Sequence, residues 1–323
     1  MLNSEKLAYL FSQLSRMEDA GLPANRALEL IGKHDPLFEK HIPALVKAVN
    51  AGRSIAEAGA KSGLFSKSQA AILNAAAASG QLVPIYAGLA EYYGGRAARI
   101  KKIKARLLLP IIILITSLLL APIADLFNGH ITPWGYIKQC GGELIIIFSA
   151  AYALYKLPDI CKLLHVEIAW QRLQLRAPFV KSWQLSRQMN AFLNYLGFML
   201  AAGMAFAEAL PLAAATIPNA ELRRRFNTPA VAKQLSAGGS VYETLSAVAG
   251  MDAAALQIIG GGEQSGKLAD GLLRYAKLQA ESQALQDDAL AEWIPRLIYV
   301  LIAAGMAYSI IAGYSERLAQ LPV

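Results

Sequence analysis

Leu7, Leu10, Phe11, Leu14 and Met17 recur at steps of three and four residues, the spacing that lays one apolar stripe along a helix. Gly21 follows where that helix should stop, as a glycine just past a helix end does. The pattern predicts a second helix from near Ala24, a third before Gly52, and another after Ser54, whose hydroxyl can cap free N–H groups. Ser68 to Ala78 reads as an alanine-rich helix that runs into Ser79-Gly80. Few segments alternate with a period of two, so strands are not expected.

The pattern then changes from stripes to blocks. LLLPIIILITSLLLAPIADLF, residues 107–127, carries a single charge, Asp125, and is long enough to cross about 30 Å of hydrocarbon. Pro110 is expected in its first turn, where a missing N–H costs little, and Pro122 should bend its far end. LIYVLIAAGMAYSIIAG, residues 297–313, is similar, with Trp293, Tyr299 and Tyr314 as interface anchors. LIIIFSAAYALYKL, residues 144–157, is shorter and spans only if Gln139 to Glu143 enter the interface and Lys156 snorkels outward.

The first pattern occurs twice. Leu10, Phe11, Leu14, Met17, Ala20, Gly21 and Leu28 return as Phe192, Leu193, Leu196, Met199, Ala202, Gly203 and Leu210, offset by 182. After a four-residue insertion near PNAELRRRF the offset is 186. Lys47, Gly52, Ser54, Ile55 and Glu57 then match Lys233, Gly238, Ser240, Val241 and Glu243, and Ile72, Ser79, Gly80, Leu82 and Ala90 match Ile258, Ser265, Gly266, Leu268 and Ala276. Each copy reads as a bundle of about six helices. Each also ends in one apolar block. Two such copies in tandem would leave the second on the wrong side of a membrane, and a return helix over 139–158 restores the orientation.

Basic residues give the direction. Arg96, Arg99, Lys101, Lys102, Lys104 and Arg106 precede the first apolar block, whereas the loop after it offers only Lys138. Lys156, Lys162, Arg172, Arg176 and Lys181 follow the middle block, and only Arg317 follows the last. The positive-inside rule places the N-terminus and both helical blocks in the cytoplasm and the C-terminus outside. MLNSEKLAYLFSQL lacks the basic start, apolar block and cleavage site of a signal peptide. The basic run from Arg96 to Arg106 is a candidate contact for anionic lipid or for a partner, lipid anchoring being the commoner use of such a cluster. Arg223, Arg224 and Arg225, in the insertion, read first as a solvated loop.

Composition agrees with this membrane reading. Of 323 residues, 55% are hydrophobic and 17% charged, and the net charge is +8. Nucleic-acid binding is not supported by any aromatic RNA motif or zinc-finger spacing. Cys140 and Cys161 flank one apolar helix and, about 30 Å apart along it, cannot pair within one molecule. The histidines at 34, 41, 130 and 165 share no ligand spacing, so no metal site or cofactor is expected. No apolar block has an ionisable residue at its centre, which argues against the alternative of a small channel or transporter. Gly305, Ser309 and Gly313, at steps of four, form a candidate ridge for close helix packing.

GGEQSGKL, residues 261–268, contains GxxxxGK and raises the second alternative, a membrane-bound P-loop nucleotide hydrolase. Leu268 stands where the pattern needs Ser or Thr, and neither a second acidic residue nor a parallel sheet is evident. Its counterpart in the first copy, ASGQL, keeps Ser-Gly-x-Leu and loses the lysine. A tight turn between packed helices is the expected shared role. Glu263 and Lys267 remain candidates for a structural or partner-binding charge in the second copy alone.

The doubled block, with Gly262, Glu263, Ser265, Gly266 and Leu268 as a GE-x-SG-x-L motif, resembles the secretion-F family, the inner-membrane platform proteins of type IV pilus and type II secretion machines. Gly21, Gly52, Ser79, Gly80, Leu82, Gly203 and Gly238 are the other motif positions. The first copy departs from the motif, with Ala77 where the second has Glu263. The resemblance implies an all-α membrane protein with no catalytic residues. It implies two homologous cytoplasmic helical-bundle domains and three transmembrane helices. Their order would be a cytoplasmic domain (1–100), a first span (104–127), a short periplasmic loop (128–138), a second span (139–158), a second cytoplasmic domain (162–290), a third span (294–314) and a periplasmic tail (315–323). The implied partners are a hexameric cytoplasmic assembly ATPase, pilin or pseudopilin subunits, other inner-membrane components of the machine, and further copies of the chain.

Overall fold

The computed structural model describes residues 3–34, 38, 42–120, 122–127, 129, 131–163 and 178–319, and every regular element among them is helical. The chain divides into two compact units. One gathers Met1–Arg99 and Ile168–Gln283, and the other Ile100–Glu167 and Ala284–Val323.

In the first unit the first copy contributes α1 (Ser4–Asp19), α2 (Ala24–His34), α3 (Ile42–Asn50), α4 (Ile55–Lys61), α5 (Lys67–Ser79) and the beginning of α6 (Leu82–Leu120). Asn3 starts α1 by accepting the Lys6 N–H at 2.9 Å, and Leu7, Leu10, Phe11 and Leu14 form its buried stripe. Ser54 caps α4 as the sequence suggested, and Ser66 with Gln69 forms a capping box on α5. Phe11 stacks against Phe65, Tyr86 and Tyr93 with ring centroids 5.6–6.1 Å apart.

The second copy supplies α9 (Pro178–Ala201), α10 (Phe206–Ala214), α11 (Ala220–Arg224), α12 (Pro229–Ser236), α13 (Val241–Ser246), α14 (Ala253–Gln264) and the beginning of α15 (Leu268–Ala319). A short 3-10 turn, Arg225–Asn227, lies in the four-residue insertion region and buries Phe226 against Phe192, centroids 4.4 Å apart.

The two copies share one apolar core instead of building one each. Ser68 Oγ donates to the Leu212 carbonyl at 3.1 Å. Tyr92 meets Tyr195 and Phe198 edge-on. Gly88 is glycine because a Cβ there would lie 2.6 Å from the Phe198 ring. The Tyr93 and Tyr195 hydroxyls share a hydrogen bond, and Gln69 donates to Tyr93 at 2.6 Å. Burial pushes both phenols above their usual ionisation range.

The second unit holds the rest of α6 and α15 with α7 (Ile123–Phe127) and α8 (Pro133–Leu163). Among the described residues one helix, α6, is long and apolar enough to cross a membrane by length and composition. Pro110 does not open a new helix. It lies well inside α6, which enters from the first unit, and the far end stops at Leu120, before Pro122. Leu108, Leu109 and Ile112 of α6, Ile145, Ile146 and Phe148 of α8, and Leu297 and Val300 of α15 are exposed. Tyr136 donates to the Leu119 carbonyl at 2.8 Å, joining α8 to α6.

Candidate functional site

Six of the motif glycines are helix ends, and the two copies close them with the same hydrogen bonds. Gly21 and Gly203 have φ of 71° and 83°. Just beyond them, Leu22 donates to Met17 at 2.9 Å and Met204 donates to Met199 at 3.0 Å. Gly52 and Gly238 are likewise left-handed, followed by bonds from Arg53 to Ala48 and from Gly239 to Gln234. At Gly80 and Gly266, φ 71° and 68°, the bonds run from Gln81 to Ala76 and from Lys267 to Gly262. Ser79 and Ser265 sit one residue before these turns, where each hydroxyl donates to a carbonyl of its own helix, and Leu82 and Leu268 begin the long helices.

This geometry excludes a phosphate cradle at 261–268. Gly261 to Gln264 finish α14, and the N–H groups of Ser265, Gly266 and Lys267 are already given to the carbonyls of Gly261, Glu263 and Gly262. A P-loop needs such donors free. At Gly262 a Cβ would lie 3.0 Å from the Leu268 Cα, so α14 and α15 approach closely there through backbone. Lys267 is exposed.

Glu263 has a defined structural partner that its sequence position did not reveal. Its carboxylate accepts the N–H of Val241 at 2.6 Å and of Tyr242 at 3.0 Å. Ser240 accepts the Glu243 N–H at 3.0 Å, and Glu243 reaches back to the Ser240 N–H at 3.3 Å. All four leading donors of α13 are thereby satisfied, two of them by Glu263.

The basic run splits into two sets. Lys102 Nζ lies 2.5 Å from Asp288, which holds that carboxyl below its usual range, and Arg106 approaches Asp288 at 3.4 Å and Glu292 at 3.9 Å. Arg99 donates to the Ala280 carbonyl at 3.4 Å. These three are engaged within the chain. Lys101 and Lys104 are exposed, as is Arg96, which lies beside the Tyr92 phenol. Asp288 and Glu292 were not singled out in the sequence. The signal that finds them is the 186-residue offset from Lys102 and Arg106.

Arg224 pairs with Glu221, and Arg225 donates to the Ala249 carbonyl at 2.7 Å, so that cluster is partly structural. Gly305 is exposed with open space where a Cβ would stand. Ser309 and Gly313 share its helix, and their surroundings fall outside the described residues. Cys140 is a buried free thiol; the surroundings of Cys161 also fall outside the described residues. A cavity of about 210 Å³ in the first unit is lined by Met189, Asn190, Asp252, Tyr275 and Gln279, among others. There Tyr275 donates to Asp252 at 2.5 Å and receives Gln279 at 2.9 Å. Burial and the Asp252 carboxylate push the phenol of Tyr275 up to about 12.

Comparison with known proteins follows the repeat. The family described as type II secretion system (T2SS), protein F, matches residues 10–125 and again 192–315, and the two starts differ by the same 182 residues that relate the copies. The chain is 26% identical to the type II secretion system protein F of Pseudomonas aeruginosa over 322 aligned residues, covering 88% of this chain and 75% of that one. It is 22% identical to the protein of the same description from Vibrio cholerae over 341 aligned residues, covering 96% and 81%. The two matched regions take in both helical blocks and the long helix that closes each, so the chain belongs to the type II secretion system protein F family, whose members are not enzymes.

Proposed function

We propose that this protein is the inner-membrane platform of a type II secretion or type IV pilus-like machine, coupling a cytoplasmic assembly ATPase to extraction and polymerisation of pilin or pseudopilin subunits. The family match in both copies carries the reading. The energy comes from the ATPase, and this chain transmits it through packed helices.

Three transmembrane helices serve that role, over 104–127, 139–158 and 294–314, with the N-terminus cytoplasmic and the C-terminus periplasmic. The apolar composition of α6, the exposed isoleucines of α8 and the exposed Leu297 and Val300 of α15 support lipid contact. The basic run before α6 turns apolar supports the orientation. α6 and α15 each begin as the last helix of a helical copy and continue into an apolar block. The hexameric ATPase would dock on the helical blocks, and the spans would guide a subunit's apolar helix. Gly305, Ser309 and Gly313 provide one close-packing face, for another span or another copy of the chain.

The test is deletion of this chain with plasmid complementation, read as ATP-driven fibre assembly or release of the secreted substrate. Loss on deletion and return on complementation is expected. Normal assembly without the protein overturns the proposal.

A further inference from the structure

Three ion pairs between α6 and α15 share one numerical property. Glu91 and Lys277, joined at 2.6 Å, stand 186 residues apart. Lys102 and Asp288 stand 186 residues apart, and so do Arg106 and Glu292. That number is the offset relating the two copies over this region, so in each of these pairs a residue meets its own counterpart, Arg106 also reaching Asp288 at 3.4 Å. The first pair lies within one compact unit and the other two lie within the other.

Counterparts touch counterparts when two equivalent helices run parallel with a two-fold axis between them, as matched core positions do in a parallel coiled coil. The spacing fits one face. From 91 to 102 is three helical turns, and from 102 to 106 is one more. Two identical helices in that arrangement would set glutamate against glutamate, then lysine against lysine and arginine against arginine. In this chain every such pair is opposite in sign.

We propose that the inverted charges are a pairing code. The face Glu91, Lys102 and Arg106 recognises the face Lys277, Asp288 and Glu292 of the same chain and rejects a second copy of itself. Each chain is then its own pseudo-two-fold partner, and contacts between chains use other surfaces. Attraction alone would be a poor discriminator, because most of these side chains are well exposed and such pairs are individually weak. The discriminating element is repulsion at all three positions in the wrong pairing. Lys277 also has its ionisation raised by Glu91, as a matched pair requires.

The test uses the full chain in detergent and a charge swap. Asp288→Lys with Glu292→Lys sets cations against Lys102 and Arg106 and should lower Tm by on the order of 2–4 °C. Adding Lys102→Asp and Arg106→Glu to that same chain should restore most of the loss. The milder swap, Glu91→Lys followed by Lys277→Glu, repeats the test at an exposed pair should the first variant fail to fold. Two separately tagged chains, one carrying each reversed face, should gain nothing when co-expressed and should not co-purify beyond the wild-type level. No loss on reversal, or no restoration in the same chain, overturns the code. Restoration between co-expressed chains overturns the intrachain assignment.

Discussion

Glu263→Ala is the perturbation that best separates a structural from a partner-binding role for the family's glutamate. The carboxylate takes two N–H groups from the first turn of a six-residue helix, Val241–Ser246. So short a helix has little propagation energy to spare, and its N-terminus depends on caps. A lost cap costs about 0.5–2 kcal/mol, and a negative charge at a helix N-terminus contributes about 0.3–1 more. Tyr242 is exposed, so water can take over at least one donor and moderate the loss. We expect about 2 kcal/mol for Glu263→Ala and about half that for Glu263→Gln, which keeps an acceptor and drops the charge. At 2–4 °C per kcal/mol for a domain of this size, the Ala variant should melt roughly 4–8 °C lower. The assay is thermal unfolding of the full chain in detergent, run beside fibre assembly or secretion in cells. An Ala variant that keeps its Tm yet loses assembly would refute the capping argument and make Glu263 a contact for a partner.

The first copy supplies the converse experiment. Ala77, exposed where the second copy has Glu263, becomes a second cap when changed to glutamate, and Ala77→Glu should raise stability by up to about 1 kcal/mol in the same melt. Gly203→Ala should cost more than Gly21→Ala, by thermal or denaturant unfolding. Both lose a left-handed φ worth about 1 kcal/mol, but only at Gly203 would the new Cβ also press on Ser79, at 3.3 Å. Tyr275 titrates higher in the fold than when unfolded, so its contribution is complete below pH 10 and fades as the pH climbs toward 12. Wild-type Tm should therefore drop more steeply above pH 10 than that of Tyr275→Phe. Lys267→Ala should change stability by less than about 0.5 kcal/mol, and a fluorescent ATP analogue should be retained neither by it nor by the unaltered chain.

What the sequence revealed of this fold is what is local. A glycine that must turn left-handed, a serine that must cap and an apolar stripe at steps of three and four each declare themselves within one helix length. Gly21, Gly52, Ser54, Ser79 and Gly80, and their counterparts, were therefore legible, together with their shared role as helix ends. Pro110 was misplaced for the complementary reason. The apolar block looks like the start of a helix because hydropathy changes there, whereas backbone hydrogen bonding runs unbroken from Leu82 through the basic segment. Glu263 was visible as an oddity of the second copy, but its partners lie 21 and 22 residues back in a different helix, beyond any short-range pattern. The bond between Tyr93 and Tyr195 spans 102 residues and carries no motif at all.

The positions that diverge between the copies follow a physical rule. A turn involves one copy only, so the same solution works twice, and the turns have kept their glycines and their hydrogen bonds. A position where a copy meets its own counterpart cannot keep the same charge on both sides without repulsion. Glu91, Lys102 and Arg106 accordingly face Lys277, Asp288 and Glu292. The polar contact between copies obeys the same constraint in a milder form. Gln69, Tyr93 and Tyr195 make it, whereas their counterparts at the two offsets, Ala255, Gln279 and Gln13, are different residues. Sharing one core removes the freedom to remain identical, because the two copies approach each other with faces that must complement and not match. GxxxxGK arises under this rule as an accident. Its second glycine, Gly266, belongs to the turn that both copies need, whereas Gly261 and Lys267, which stand opposite Ala75 and Gln81, belong to the variation that only one of them carries.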